Sequence, residues 1–239
     1  MNSNIKGTQV VVVGASSGVG RATAAMAAAA GARVLMIARR EAVLIQESGR
    51  LGAGAGWAVA DMTDSASMVQ AMSAVAEIDH VVICAAADEL KRAVPISELN
   101  AEQVERSFDR VRGYINTIQA VLPRLAPRAS ITLWCGVSAI HPPATGFTVL
   151  AAENASIVGL GKALAVELAP VRVNVVMSGL VDTPIHDHDR DALAEWAGVQ
   201  LPARRLGQPE DLADAALFLM TNSYATAQTF VIDGGLTAI

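Results

Sequence analysis

The stretch from Val10 to Ala30 narrows the possible folds of this chain more than any other. Val10-Val-Val-Val-Gly14 reads as a buried strand, Gly14-Ala-Ser-Ser-Gly18-Val-Gly20 as a tight turn, and Arg21 to Ala30 as the helix after it. A strand, a glycine turn and a helix N-terminus gather unpaired backbone N–H groups and the positive end of the helix dipole at one point, where a pyrophosphate is stabilised. The glycines alone are a weak pattern; opening the first βα unit of a sheet, they point to a bound dinucleotide rather than a purely structural turn. Gly14, Ser16, Ser17, Gly18, Val19 and Gly20 are then the expected phosphate contacts, with the two serine hydroxyls as extra donors.

The rest of the chain repeats this alternation. Apolar runs fall near Gln9–Val13, Arg33–Ile37, Gly56–Val59, His80–Cys84, Ser130–Cys135, Arg172–Met177 and Thr229–Ile232. Between them, helical periods fall near Gly18–Ala30, Ala42–Leu51, Ser65–Val75, Ala101–Leu125, Leu150–Leu168 and Glu210–Leu219. Strands this apolar, joined by helical crossovers, predict a sheet buried on both faces: an α/β, Rossmann-like, doubly wound, seven-stranded parallel sheet with helices on each side. No repeat or linker divides the 239 residues, so residues 1–239 are expected to form one domain.

Composition removes other classes. With 52% apolar and 17% charged residues and 2 cysteines, the chain is neither disordered nor disulfide-stapled. A net charge of −5 leaves no basic stripe for a duplex, so no nucleic-acid partner is expected. The longest stretch without charged residues, Ala129 to Ala152, is interrupted by Pro142, Pro143 and Gly146, so no membrane span is expected. The first residues show neither a basic flank nor a cleavage site, which makes the cytoplasm the expected location. There the Asn154-Ala-Ser156 sequon has no meaning. Cys84 and Cys135 read as small buried hydrophobes rather than a redox pair.

Two helices carry further information. Phe108, Val111, Ile115, Ile118, Leu122 and Leu125 form one apolar stripe in Ala101–Leu125. Ile157, Leu160, Leu164 and Leu168 form another, with Gly159, Gly161 and Ala165 permitting close approach of a neighbour. Each stripe serves either packing on the sheet or a two-fold contact between subunits, the latter implying a homodimer or homotetramer.

The end of the second strand reads Ala38-Arg39-Arg40. An acidic side chain there would hold a ribose 2′-OH, whereas two guanidinium groups favour a 2′-phosphate. NADP is therefore expected over NAD, the plainer reading being a solvated pair at a helix start.

These residues bring the chain close to a known family. From about Lys6 to Gly235 it resembles the classical short-chain dehydrogenase/reductases. The resemblance rests on Gly14-xxx-Gly18-x-Gly20, Asp61-Met62, Leu122-Pro123, Gly159-Leu160-xxx-Leu164-Ala165-x-Glu167-Leu168, Arg172-Val-Asn174, Leu201-Pro-Ala-Arg-Arg-Leu206-Gly207 and Asp233-Gly-Gly235. It implies that Asp61 and Met62 contact the adenine, that Ala85 lies under the adenosine, and that Thr183 bonds the nicotinamide carboxamide. It also implies a tetramer built on the two striped helices.

The family's carbonyl chemistry uses a proton-donating Tyr, a Lys that lowers its pKa, a Ser on the substrate oxygen and an Asn ordering a water relay. Here the Tyr-xxx-Lys positions read Leu150-Ala-Ala-Glu-Asn154. The Ser position falls on Gly136 or Val137, with Ser138 the nearest hydroxyl, and the Asn position is Arg110. After the fourth strand the family's Asn-Asn-Ala-Gly becomes Ile83-Cys84-Ala85-Ala86, and after the sixth its Pro-Gly becomes Ser178-Gly179. Losing a general acid costs about 10²–10⁴ in rate, roughly 2.7–5.5 kcal/mol, and losing an oxyanion donor about 3 kcal/mol more.

No catalytic residue follows from the sequence alone. His141 is either a substitute donor or a loop residue facing solvent. Tyr114, one turn after Arg110, is expected to pack, and Glu153 to be an exposed helix carboxylate. His186-Asp-His188-Asp189 reads as part of a charged lid, Asp182 to Arg204, and not as a metal site. The expected activity is reduction or oxidation of a small carbonyl or alcohol of unknown identity by a non-standard proton path. The alternatives are a redox-inactive nucleotide-binding sensor, scaffold or partner subunit, and last a non-redox reaction in the same cleft.

Overall fold

Successive side chains of a strand point to opposite faces, so the first strand, β1 (Gln9–Val13), sends Val11 and Val13 into one apolar core and Val10 and Val12 into another. The computed structural model describes residues 5–85, 94–187 and 189–239. After β1 come α1 (Gly18–Ala29), β2 (Arg33–Ala38), α2 (Glu41–Leu51), β3 (Ala55–Val59), α3 (Ser65–Met72), β4 (Ile78–Ile83), α4 (Ala101–Ser107), α5 (Asp109–Val121) and β5 (Leu125–Gly136). The order continues with α6 (Thr148–Glu167), β6 (Arg172–Ser178), α7 (Arg190–Gln200), α8 (Pro209–Thr221) and β7 (Thr229–Ile232). The strands form one parallel sheet in the order β3-β2-β1-β4-β5-β6-β7. Helices α1, α2 and α8 cover one face, and α3, α5 and α6 cover the other. This is the Rossmann-like, doubly wound architecture expected.

The winding reverses between β1 and β4, which are neighbours in the sheet although two strands separate them in sequence. Crossovers leave in opposite directions from that point, so a crevice opens beyond the carboxyl ends of the two strands. Everything functional below lies at this end.

Four expectations change. The sheet is not buried on both faces throughout, because β3 and β7 are edge strands; Trp57 and Val59 on β3 are exposed. The helix expected over Ala101–Leu125 is two helices. The α4 segment closes with a tightened turn, Phe108 N–H donating to Glu105 O, before α5 starts; Pro123 then ends α5 in a short 3₁₀ turn. The stripe in that region is split, with Ile118 in the core and Val111 and Leu125 packed against it while the other three residues face outward. Phe108, Ile115 and Leu122 are each about two-fifths exposed, while Arg110, Gly113, Tyr114, Thr117, Ile118 and Val121 point inward. Those polar side chains can be inward because they find partners there, as shown below. Last, the expected lid holds a helix, α7, whose Ala197 packs with Leu201 and Leu206 in a small core of its own.

On α6 the stripe does pack on the sheet. Ile157 is fully buried, with Leu160, Leu164 and Leu168 against the same core, and a Cβ at Gly161 would sit 2.5 Å from Val175 Cγ2 of β6. By length and composition α6 is apolar enough to cross a bilayer. About 33% of that span is buried, with Ile157, Gly161 and Ala165 on the sheet side, and it carries the buried Glu153 and Asn154.

Candidate functional site

The crevice is a cleft of about 1320 Å³, larger than the roughly 300–1,000 Å³ of an ordinary small-molecule pocket. All twelve residues expected to contact a dinucleotide line it: Gly14, Ser16, Ser17, Gly18, Val19, Gly20, Arg39, Arg40, Asp61, Met62, Ala85 and Thr183. The cleft continues without a break to Ser138, His141, Leu150 and Asn154.

The first half is built from backbone constraints. Gly14 N–H donates to Ile37 O of β2 at 2.8 Å, and Cys84 N–H to Val13 O at 2.9 Å, which ties the loop to the strand ends on both sides of β1. Gly14 and Gly18 have φ of 91° and 51°, in the left-handed region where a side chain is strained. The turn is also too tight for a Cβ, which at Gly14 would stand 2.6 Å from Ala85 N and at Gly20 2.3 Å from Gly14 O. A Cβ at Gly18 would project into the cleft against Thr183 Cγ2 at 3.0 Å. Ser17 precedes α1 without bonding to it through its side chain, so the N-terminal amides of α1 face the loop uncapped by that residue. A cradle of backbone donors that any side chain would fill fits a pyrophosphate.

Arg40 Nη2 donates to Ser16 O and Ser16 Oγ, both at 3.3 Å, which bridges the end of β2 to the glycine loop. At the end of β3, Asp61 accepts from the Thr63 N–H at 2.9 Å and from its hydroxyl at 2.8 Å. Partial burial raises the Asp61 carboxyl, but those two hydrogen bonds and the Arg39 charge outweigh it and hold the group below the usual carboxylate range. Asp61 is therefore an acceptor at neutral pH.

The second half is built from side chains. Leu150 and Asn154 stand one turn apart near the start of α6 and both line the cleft. Arg110 of α5 is 7% exposed. It forms an ion pair with the fully buried Glu153, Nε to Oε1 at 3.4 Å, and its Nη2 donates to Asn154 Oδ1 at 2.5 Å. Glu153 is thus not the exposed carboxylate its helix position suggests. A charge on α6 can be buried because Arg110 reaches it from α5. Asn154 Oδ1 also accepts from Gly136 N–H at 2.7 Å, and Nδ2 donates to Ser138 Oγ at 2.8 Å and Leu150 O at 3.0 Å. The buried sequon asparagine has no access to solvent chemistry.

Tyr114 does pack, as expected. It is fully buried, with its hydroxyl among the carbonyl oxygens of Ile83, Trp134 and Ala85 at 3.1, 3.0 and 3.4 Å. His141 is half-buried on the cleft wall, where its backbone N–H donates to Val137 O at 2.8 Å. The two cysteines behave as hydrophobes: burial pushes the Cys84 thiol far up and Cys135 to about 12 against the opposing pull of Arg110. Arg190 Nη2 meets Asp182 Oδ1 at 2.7 Å, anchoring α7 beside the cleft. Ala86 and His188 lie outside the described residues. Among the described ones no group of three or more His, Cys, Asp or Glu could hold a metal.

Sequence reasoning missed the Arg110–Glu153–Asn154–Ser138 cluster as a unit. The signal was a charge beside an amide, Glu153 and Asn154, on an otherwise apolar helix.

Comparison with known proteins agrees with this geometry. A family model described as enoyl-(acyl carrier protein) reductase matches residues 14–237. Oxidoreductase UcpA of Salmonella typhimurium is 32% identical, over 98% of this chain and 95% of that protein. Bovine L-xylulose reductase is 30% identical over the full length of both. An NADPH-bound short-chain oxidoreductase of Pseudomonas aeruginosa, described as containing an atypical catalytic center, superimposes with a TM-score of 0.88 at 28% identity, covering 96% of each chain.

Proposed function

The chain belongs to the short-chain dehydrogenase/reductase family, and from that membership we propose that it is an NADP(H)-dependent oxidoreductase of a small carbonyl or alcohol with a non-standard proton path. One observation carries this reading: the cleft that holds all the expected coenzyme contacts runs on, open, to the Leu150 and Ser138 wall. When bound, the nicotinamide coenzyme supplies or accepts the hydride. The chain's own residues do the rest. The glycine-loop amides and the α1 N-terminus hold the pyrophosphate, and Arg39 and Arg40 take the 2′-phosphate. Asp61 and Met62 bound the adenine, Ala85 the adenosine, and Thr183 the carboxamide.

On the substrate side Leu150 holds no proton and contributes only an apolar wall. Tyr114 and Glu153 are committed to their buried partners, so we assign the proton to an imidazole nitrogen of His141, which lies on the cleft wall. The NADPH-bound Pseudomonas aeruginosa relative supports the coenzyme choice by analogy. A homodimer or homotetramer in the cytoplasm belongs to the same proposal, supported by the exposed Phe108, Ile115 and Leu122.

A second reading has its own support. With Leu150 and Asn154 at the tyrosine and lysine positions, a redox-inactive nucleotide-binding sensor, scaffold or partner subunit needs no further chemistry. Consumption of NADPH across a panel of ketones, aldehydes and quinones separates the two. Turnover that falls about 100-fold or more in His141→Ala supports the enzyme. Binding without turnover of any of the three classes supports the second reading.

A further inference from the structure

Beyond Val59 the chain leaves β3, and the cleft edge from Asp61 to Thr63 belongs to no helix or strand. Such a segment keeps its shape only where other elements tie it down, and two helices do so. From α3, Ser67 Oγ accepts from the Asp61 N–H at 3.2 Å. From α5, Asn116 Nδ2 donates to Met62 O at 3.0 Å, the orientation that a carbonyl enforces because it can only accept. Gly113 stands three residues earlier on the same face of α5 and leaves a notch there. A Cβ at Gly113 would lie 2.5 Å from Met62 Cγ and 2.9 Å from Met62 Sδ, so the methionine side chain fills that notch and is only 8% exposed. A methionine has three rotatable bonds and adapts to irregular gaps; the notch and the carbonyl bond together remove that freedom. Neither Gly113 nor Asn116 lines the cleft, so each acts on a bound group only through Met62.

We propose that Gly113 and Asn116 are positioning residues for recognition of the coenzyme's base. By fixing Met62 from behind, they set where the adjoining Asp61 carboxylate meets the adenine amino group, and so decide the preference for adenine over a base with an oxo group in its place. The proposal rests on the coenzyme reading above and extends it to the choice of base. Adenine offers an amino donor at this edge, which a carboxylate accepts, whereas the oxo group of hypoxanthine brings a second acceptor against it. Asp61 and Met62 share a peptide link, so a displaced Met62 carries the acceptor with it.

The probes are NADPH and its hypoxanthine analogue, which share the phosphates and the dihydronicotinamide and are both followed by nicotinamide fluorescence. The wild-type protein is expected to bind NADPH about 10-fold more tightly than the analogue. Asn116→Asp sets a carboxylate against the Met62 carbonyl, Asn116→Leu removes the donor without adding charge, and Gly113→Ala pushes Met62 out of its notch. Each is expected to bring the preference within about twofold, by weakening NADPH and leaving the analogue nearly unchanged. A merely structural role would weaken both ligands alike and keep their ratio. Denaturation midpoints check that each variant is folded; Gly113 is buried, so the two Asn116 variants decide the matter should Gly113→Ala fail to fold. A wild-type preference that persists in either Asn116 variant, or in folded Gly113→Ala, overturns the proposal and leaves the coenzyme reading standing. Equal wild-type binding of the two ligands overturns the proposal together with the adenine contacts of Asp61 and Met62. Binding of neither ligand overturns the coenzyme reading and the proposal with it.

Discussion

The two ends of the cleft are made of different materials. At the coenzyme end, position is set by backbone: a glycine loop with no room for a Cβ, amides at the start of α1, and strand ends tied across β1. At the substrate end, position is set by side chains reaching across three elements, with Arg110 from α5, Glu153 and Asn154 from α6, and Ser138 from the turn after β5. The contrast shows why side-chain substitutions at one end of the cleft need not disturb the other. Replacing a side chain leaves the loop untouched, and the charged replacement is stable once a partner of opposite sign is buried with it.

The largest effect that separates the two ends is expected from Glu153→Leu. It leaves Arg110 buried without its ion-pair partner and lowers unfolding free energy in urea by about 3–5 kcal/mol. Adding Arg110→Met recovers most of the loss. Coenzyme affinity in the double variant stays within about twofold of wild type, because the cradle shares no partner with the pair.

Acid also acts away from both ends. His80, on β4, is bonded to Ser130 Oγ at 2.9 Å away from the cleft. Burial lowers its pKa to about 4; Asp79 opposes the shift and Arg172 assists it. The folded protein thus keeps His80 neutral where the unfolded chain takes up a proton near pH 6.5. Stability is complete above 6.5 and falls as pH drops toward 4, by about 3 kcal/mol. In His80→Gln this loss is absent from urea midpoints measured across that range. If it persists, carboxylates dominate the acid response.

Gly20→Ala tests the cradle. The added methyl would press on Gly14 O, and NADPH affinity is expected to fall about 10- to 100-fold in a fluorescence titration, while the Glu153 cluster stays intact. An unchanged affinity would mean that the turn relaxes and does not define the site. The smallest effect is Arg40→Ala. It removes one guanidinium from the expected 2′-phosphate position and weakens NADPH about 10-fold, leaving NADH unchanged. Equal losses for both coenzymes would instead assign Arg40 to bracing Ser16, which it bonds in this structure.

The same division explains what could be read in advance. Strand runs, the glycine turn and eight of the coenzyme-side residues, those between Gly14 and Gly20 with Arg39 and Arg40, follow from local patterns, because period, turn chemistry and position after a strand are properties of neighbours in sequence; Asp61, Met62, Ala85 and Thr183 follow only from the family resemblance. The break at Phe108 was hidden because the apolar spacing carries through it. The inward face of α5 was hidden because Arg110 looks like a solvent-facing residue, and the packing expected of Tyr114 has no visible site, until their partners are known. Those partners, Glu153 and Asn154 for Arg110 and the carbonyls of Ile83 and Trp134 for Tyr114, lie far off in sequence. Helix α7 escaped because its core is only Ala197, Leu201 and Leu206.

The most direct measurement is a side-by-side calorimetric titration of NADPH and NADH into the wild-type protein. Saturable binding of both is expected, with NADPH the tighter by about 10-fold or more. Binding of neither, or NADH bound more tightly, would contradict a preserved coenzyme cradle that reads the 2′-phosphate through Arg39 and Arg40.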